Sequence, residues 1–267
     1  MKKGIDIYGL LQKVRENRPV VHHLTNWVTI YDCANIAKVF GASPVMAHAP
    51  EEVYDMAGIA SSLVLNIGTL TADFIDSMKI AARSANQKGI PVILDVCGAG
   101  ATKMRDDKCF ELLKSVKISV IKGNASEIAR IDGEDVKTRG VDAAEVGKDI
   151  CEIAIDLALS KKCTVVITGE KDVITNGKIT VMVSNGHPMM AKIVGTGCMA
   201  SSVIGSFCAV ENNLVYASAA GLCCFEIAAE IAASSAKGPG SFKEMLYDAV
   251  YNLNSDTLES RSKISFL

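Results

Sequence analysis

Short runs rich in β-branched residues alternate with helically spaced stretches along most of this chain. Val20–Leu24, Pro44–Ala47, Leu63–Ile67, Pro91–Asp95, Ser119–Ile121 and Thr164–Thr168 have the length and apolar character of buried strands. Between them, apolar residues recur at helical spacing, as in Leu10, Leu11 and Val14, or Ile36, Ala37 and Val39. Stop signals fall where those helices should end: Asn17-Arg18-Pro19, Gly41, and Lys88-Gly89 ahead of Pro91. Strand-helix alternation with apolar strands predicts an α/β fold, its mostly parallel central sheet covered by helices on both faces.

One segment departs from this alternation. Asp172–Thr175, Asn176-Gly177 and Lys178–Val183 read as a hairpin with a type I′ turn, adding an antiparallel edge to the sheet. Beyond it the pattern is helical: Cys198–Val210, Leu214–Ala233 and Phe242–Leu253, with a break at Lys237-Gly238-Pro239-Gly240. No linker, repeat or low-complexity tract interrupts residues 1–267, and the expectation is one domain.

Composition narrows the function classes. With 28 basic and 30 acidic side chains, the formal charge of −2 lacks the basic surface that nonspecific nucleic-acid binding needs. A chain with 49% hydrophobic and 22% charged residues is an ordinary globular one, not a disordered one. The longest uncharged run, Ile193 to Val210, is broken by three glycines, a threonine and three serines. It reads as a buried strand-loop-helix rather than a membrane span. The N-terminus reaches Asp6 before any apolar run of signal-peptide length, so nine cysteines read as reduced thiols of a cytoplasmic protein. None forms a C-x-x-C pair, and His22, His23, His48 and His187 lack the spacing of a helical zinc site.

Candidate chemistry gathers at three places. In Lys192-Ile193-Val194-Gly195-Thr196-Gly197-Cys198-Met199-Ala200, a glycine-rich turn opens directly into a helix. The free N–H groups of such a turn, with the helix dipole, suit phosphate or charge developing on a transferring phosphoryl group. Gly195-x-Gly197-x-x-Ala200 also matches a dinucleotide fingerprint, but it lies late in the chain and Val215 stands where the ribose acid belongs. The Walker pattern is absent. Asp95 ends one predicted strand, and Glu127 follows another through Lys122-Gly123-Asn124-Ala125-Ser126. Acids at the carboxyl ends of parallel strands line the ligand crevice, where they can hold Mg²⁺ or polarise a nucleophile. Taken alone, Asp95 also suits a turn and Glu127 a helix start.

Five segments occur together in one order: His22-His23-Leu24-Thr25-Asn26, Gly41-Ala42-Ser43-Pro44-Val45-Met46, Leu94-Asp95-Val96-Cys97-Gly98-Ala99-Gly100, Lys122-Gly123-Asn124-Ala125-Ser126-Glu127 and Gly195-Thr196-Gly197-Cys198. In this the chain resembles the hydroxyethylthiazole kinases, thiamine-salvage members of the ribokinase-like superfamily, over essentially its whole length. The resemblance implies a three-layer ribokinase-like fold. It also implies ATP- and Mg²⁺-dependent phosphorylation of the primary hydroxyl of 5-(2-hydroxyethyl)-4-methylthiazole, within a homotrimer whose active sites lie near subunit boundaries. Met46 and Gly195 match positions that contact the thiazole, with Asn26 and Val28 as pocket neighbours. Lys122 and Thr168 match nucleotide contacts, and Asp95 and Glu127 match the acids near Mg²⁺ and phosphate. A methionine offers a small ring an adaptable apolar surface, and a lysine offers the triphosphate a compact charge.

Cys198 stands where the wider superfamily has the aspartate that takes the acceptor's proton. A thiol at a helix N-terminus has raised thiolate character and can take that proton. The other reading is a small helix-start residue with catalysis by positioning alone. Hydroxymethylpyrimidine or sugar kinases, nucleotide-hydrate dehydratases and an inactive binding regulator are the competing classes. The apolar Pro44-Val45-Met46 segment weighs against a sugar, Cys198 against a dehydratase, and Asp95, Glu127 and the intact glycine turn against an inactive regulator.

Overall fold

A computed structural model describes residues 4–133 and 149–267 of the chain. Nine strands form one sheet: β1 (Val20–Leu24), β2 (Ser43–Val45), β3 (Ser62–Asn66), β4 (Val92–Asp95), β5 (Val120–Asn124), β6 (Thr164–Thr168), β7 (Asp172–Thr175), β8 (Thr180–Val183) and β9 (Ile264–Phe266). Their order is β2-β1-β3-β4-β5-β6-β7-β8-β9, parallel through β6 and antiparallel beyond it. The parallel part and the added hairpin are as the pattern predicts. The closing strand β9 was not foreseen; it pairs Ile264, Ser265 and Phe266 with β8.

The helices are α1 (Ile7–Asn17), α2 (Ile30–Phe40), α3 (Val53–Ile59), α4 (Ala72–Lys88), α5 (Lys103–Ser115), α6 (Ala125–Asp132), α7 (Ile150–Lys161), α8 (Thr196–Cys208), α9 (Leu214–Ser235), α10 (Pro239–Tyr251) and α11 (Ser255–Arg261). The predicted stops hold. Gly41 and Gly89 end α2 and α4 in the left-handed conformation, and Arg18 does the same after α1. Pro239 opens α10 instead of only ending the preceding helix, since its missing N–H costs nothing in a first turn. Helix α9 is long and apolar enough to cross a membrane by composition, but it is mostly buried within the fold.

Strand alternation divides the core in two. Val21, Val64, Ile93, Val120 and Val166 pack toward α1, α2, α8, α9 and α10. Leu63, Leu65, Val92, Leu94, Ile121, Val165 and Ile167 pack toward α3 through α7. Each fully buried Ile or Leu stabilises the fold by about 1.5–3 kcal/mol, so register is tightly specified. The alternation carries into the polar strand ends: Asn66, Asp95, Lys122 and Thr168 share the parity of the first set and point to the α8 side.

The hairpin corrects one expectation. Gly177 has φ +82°, but Asn176 is not left-handed, so the turn is not type I′. Residues 176–179 form a longer connection in which Asn176 Oδ1 accepts from the backbone N–H groups of Lys178 and Ile179, both at 3.0 Å. An asparagine side chain that closes its own turn removes the need for a second positive φ.

Candidate active site

The sheet reverses its build direction at β1, with β2 on one side and β3 on the other. In such sheets the crevice outside the strand carboxyl ends at this point is the ligand site. Asn26 lies just past β1, and Asn66, Asp95 and Thr168 end β3, β4 and β6. Register places Asn66 opposite Asp95, and Asp95 opposite Lys122. Three polar side chains thus form a row across adjacent strands, facing the first turn of α8.

Gly195 caps α8 at φ +101°. A Cβ there would meet Thr29 Cγ2 at 2.6 Å and Thr29 Cβ at 3.2 Å, so glycine is required by both conformation and space. The turn is pressed against the segment after β1, and the first N–H groups of α8 open beside the row. Cys198 sits in that first turn. Its Sγ accepts from Asn26 Nδ2 at 3.1 Å and from Asn66 Nδ2 at 3.4 Å. Neither amide is free to turn over. Asn26 Oδ1 accepts from the N–H and hydroxyl of Thr29, at 3.1 and 3.0 Å. Asn66 Oδ1 accepts from the Gly68 N–H at 2.8 Å and from Asn26 Nδ2 at 3.1 Å. Two fixed donors aimed at one sulfur favour its thiolate. A hydrogen bond from Cys97 is the largest influence on the Cys198 thiol, and burial opposes it; the thiol is lowered to about 7.

Lys122 and Asp95 form a buried pair at 3.4 Å between Nζ and Oδ2. Burial works against the lysine's charge, but Asp95 and then Glu127 outweigh it and hold the ammonium above its usual range. Nζ also donates to the Gly197 carbonyl at 3.0 Å, tying the strand row to the turn. Asp95 Oδ2 accepts from Ser201 Oγ at 2.6 Å, while its Oδ1 is buried without a partner. An orphaned, buried carboxylate oxygen costs about 1–3 kcal/mol or more. It fits a divalent cation or its water, the role expected of Asp95. Among the described residues, no cluster of three or more His, Cys, Asp or Glu could hold a metal by itself.

Glu127 performs the local role open to it in the sequence. It completes a capping box with Asn124 at the start of α6. Its Oε2 accepts from the Asn124 N–H at 2.8 Å, and its Oε1 accepts from Gly98 N–H at 2.7 Å, fixing the loop after Asp95. Burial, then Asp95, raises its carboxyl above the usual range.

Thr168 lines a cleft of about 730 Å³ with Gly197, Ala200, Leu222, Phe225 and Glu226. The volume suits a nucleotide, and apolar walls with a few polar groups are typical of such sites. Met46 is half-buried in the loop after β2 and does not line this cleft; nor does Val28, which is 67% exposed. Their loops lie near each other, since the rings of Trp27 and His48 meet edge-on at 4.9 Å. His22 and His23 are buried, bonding the carbonyls of Ala47 and Val21 at 2.8 and 3.0 Å. Sequence reasoning missed Asn66, Ser201 and Arg105. Arg105 donates to the carbonyls of Ile67, Gly68 and Cys97 at 2.9, 2.7 and 3.1 Å, clamping the loops after β3 and β4 together. Strand parity is a signal that points to Asn66; nothing local marks Arg105.

Residues 11–256 match the model of the hydroxyethylthiazole kinase family. A hydroxyethylthiazole kinase of Methanosarcina mazei is 52% identical over 257 residues, covering 96% of this chain and 98% of that protein. A solved hydroxyethylthiazole kinase structure from Pyrococcus horikoshii OT3 superposes with TM-score 0.90 at 38% identity, covering 98% of each chain. A ribokinase-like superfamily protein of Enterococcus faecalis shares the fold at TM-score 0.62 and 16% identity, over 88% of each chain. The fold is ribokinase-like, and the chain belongs to the hydroxyethylthiazole kinase family.

Proposed function

We propose that this chain, acting as one catalytic domain, transfers the γ-phosphoryl group of ATP to the primary hydroxyl of the thiazole alcohol through the constellation around Cys198. The carrying observation is the pair of fixed amides, Asn26 and Asn66, donating to Cys198 Sγ beside the Asp95–Lys122 pair. The thiolate takes the hydroxyl proton as the alcohol oxygen attacks the γ-phosphorus. The bond from phosphorus to the bridging oxygen of ATP breaks, and ADP leaves. The N–H groups of the Gly195–Cys198 turn stabilise charge on the phosphoryl oxygens. Phosphoryl transfer rests mostly on alignment and charge stabilisation, so a weak thiolate base suffices.

Mg²⁺ is the natural occupant for the orphaned Asp95 Oδ1, directly or through water, and when bound it neutralises charge on the triphosphate. Glu127 supports that position by holding the loop that follows Asp95. Thr168 borders the nucleotide cleft, and Lys122 supplies positive charge at its phosphate end. Met46, Asn26, Val28 and Gly195 surround the alcohol. Trp27, Val28, Tyr31 and Val194 are exposed apolar residues of the Gly195 turn and the segment beside it. Such a patch supports burial against a second copy, in keeping with a homotrimer whose subunits complete the alcohol site. Nine free cysteines suit a reducing cytoplasm. An ADP-release assay offering the thiazole alcohol, hydroxymethylpyrimidine and ribose tests the assignment. Turnover with the thiazole is expected, and turnover only with either alternative would sink it.

A further inference from the structure

Thr196 and Gly197, in the first turn of α8, mark the phosphate end of the 730 Å³ cleft. Helix α9 presents Leu222, Phe225 and Glu226 to the same cleft, three residues that share one helix face. Two acids one turn apart on α9 have different fates. Glu230 is spent within the fold: its Oε1 accepts from Lys263 Nζ at 2.9 Å, Asn185 Nδ2 at 3.1 Å and the Gly186 N–H at 3.2 Å. Glu226 is 7% exposed, and its Oε2 is buried without a partner. A Cβ added to Gly186, which also lines the cleft, would stand 3.9 Å from that oxygen. The loop after β8 thus runs past the Glu226 carboxyl, and Glu230 fixes it there.

The nearby amide in the cleft wall has nothing left to offer a ligand. Asn185 Nδ2 donates to the Arg261 carbonyl at 2.9 Å as well as to Glu230, and its Oδ1 accepts from the Lys263 N–H at 2.9 Å. Asp172, buried in the same cleft, spends its Oδ1 on the Gly169 N–H at 3.0 Å. Burial of a carboxyl favours its neutral form. Burial, then Asp172, raises Glu226 well above the usual carboxylate range. A neutral carboxyl offers an O–H donor beside a C=O acceptor, the same pair of functions as a glutamine amide. That pair complements adenine, whose amino group lies beside a ring nitrogen; the same edge of guanine carries two acceptors. Leu222 and Phe225 add apolar surface for a base next to it.

We infer that Glu226 reads the purine base in this cleft, its carboxyl bonding the exocyclic amino group and the adjacent ring nitrogen of adenine. The inference rests on the reading of the cleft as the ATP site and adds the group that selects the base. Leu222, Phe225 and Glu226 then act together, two side chains covering the base and the third meeting its edge.

The test compares ATP with purine ribonucleoside triphosphate, which lacks only the 6-amino group. Binding of each is measured by calorimetry on the whole chain with Mg²⁺ and without the alcohol, so that no turnover intervenes. The parent should hold ATP at least about fivefold more tightly, the scale of leaving a buried acceptor unpaired. In Glu226→Met and Glu226→Ala the ratio should fall to within about twofold of unity. In Glu226→Gln at least about threefold should remain, because the amide keeps a donor beside an acceptor. A ratio of two affinities on one preparation is insensitive to an inactive fraction, and the Met and Ala variants differ in bulk, so one folded variant suffices. Equal affinity of the parent for both nucleotides, a parent-like ratio in the Met or Ala variant, or a ratio near unity in Glu226→Gln overturns this inference alone. Binding of neither nucleotide by the parent overturns the ATP reading of the cleft as well.

Discussion

Asn26 Nδ2 donates to Cys198 Sγ at 3.1 Å, across 172 positions of sequence. The Asn26 carbonyl oxygen is already held by Thr29, so its amide has one orientation available. The thiol proposed as the base therefore has a dedicated means of staying ionised. With the Cys198 thiol near 7, the active form accumulates as pH rises through that value. The rate should fall on the acid side and level off above it. Asn26→Leu removes a donor to the charged form, raises the thiol, and should shift this limb to higher pH. A limb that stays in place would exclude the amide from thiolate stabilisation.

Replacing the sulfur itself tests the base directly. Cys198→Asp should keep or raise turnover, because a carboxylate in the same place accepts the proton. Cys198→Ala should lower kcat by about 10–100-fold with little change in KM for ATP, since a positioned base contributes on that scale. An alanine variant with unchanged kcat would leave catalysis to positioning alone.

The Asp95–Lys122 pair is buried on both sides, with side chains 1% and 5% exposed. Removing one partner strands the other's charge, so Lys122→Met should cost about 3–5 kcal/mol in urea unfolding. Lys122→Met with Asp95→Asn should recover much of that stability without recovering activity. Asp95→Asn alone should reduce kcat by about a hundredfold or more, through weaker charge stabilisation at the phosphates. Equal stability of the single and double variants would contradict charge stranding.

Gly195→Ala meets two obstacles, a left-handed backbone and the Thr29 methyl. The conformational part alone costs about 1–2 kcal/mol. Shortening the neighbour by Thr29→Ser relieves the clash but not the backbone strain. The double variant should be more stable than Gly195→Ala and less stable than the parent, as read by thermal melting. Full recovery would mean that the steric contact alone excludes a side chain.

Glu226 lines the proposed nucleotide cleft with Asp172, and each carries a buried carboxylate oxygen without a partner. Burial, then the charge of Asp172, raises the Glu226 carboxyl from 4.5 to about 11. The folded state therefore keeps a proton that the unfolded chain loses above about pH 4.5. Its contribution to stability is complete below that value and declines as pH rises toward 11. Glu226→Gln is neutral throughout, so its melting temperature should gain on the parent between pH 5 and pH 9. A constant difference across that range would show that Glu226 does not carry the proton.

By itself the sequence determined the alternation of strands and helices, the stops at Gly41 and Gly89, and the acids and lysine at strand ends. These depend on local spacing, on turn residues and on the two-residue period of a strand, all of which act over a few positions. Even the orientation of Asp95, Lys122 and Thr168 is legible, because each continues the parity of a buried apolar strand. The tertiary structure decided what those side chains meet. It brought Asn26, Asn66 and Cys198 to one sulfur-centred cluster, and Ser201 to Asp95. It also added β9 through a C-terminal segment too short and polar to signal its partner, and closed the hairpin with the Asn176 side chain instead of a type I′ turn. Contacts between residues far apart in sequence depend on sheet order and helix packing, which hydrophobic periodicity constrains only as a class. Cys198 stands out in the sequence as an unusual residue at a helix start; its two amide donors exist only in the folded molecule.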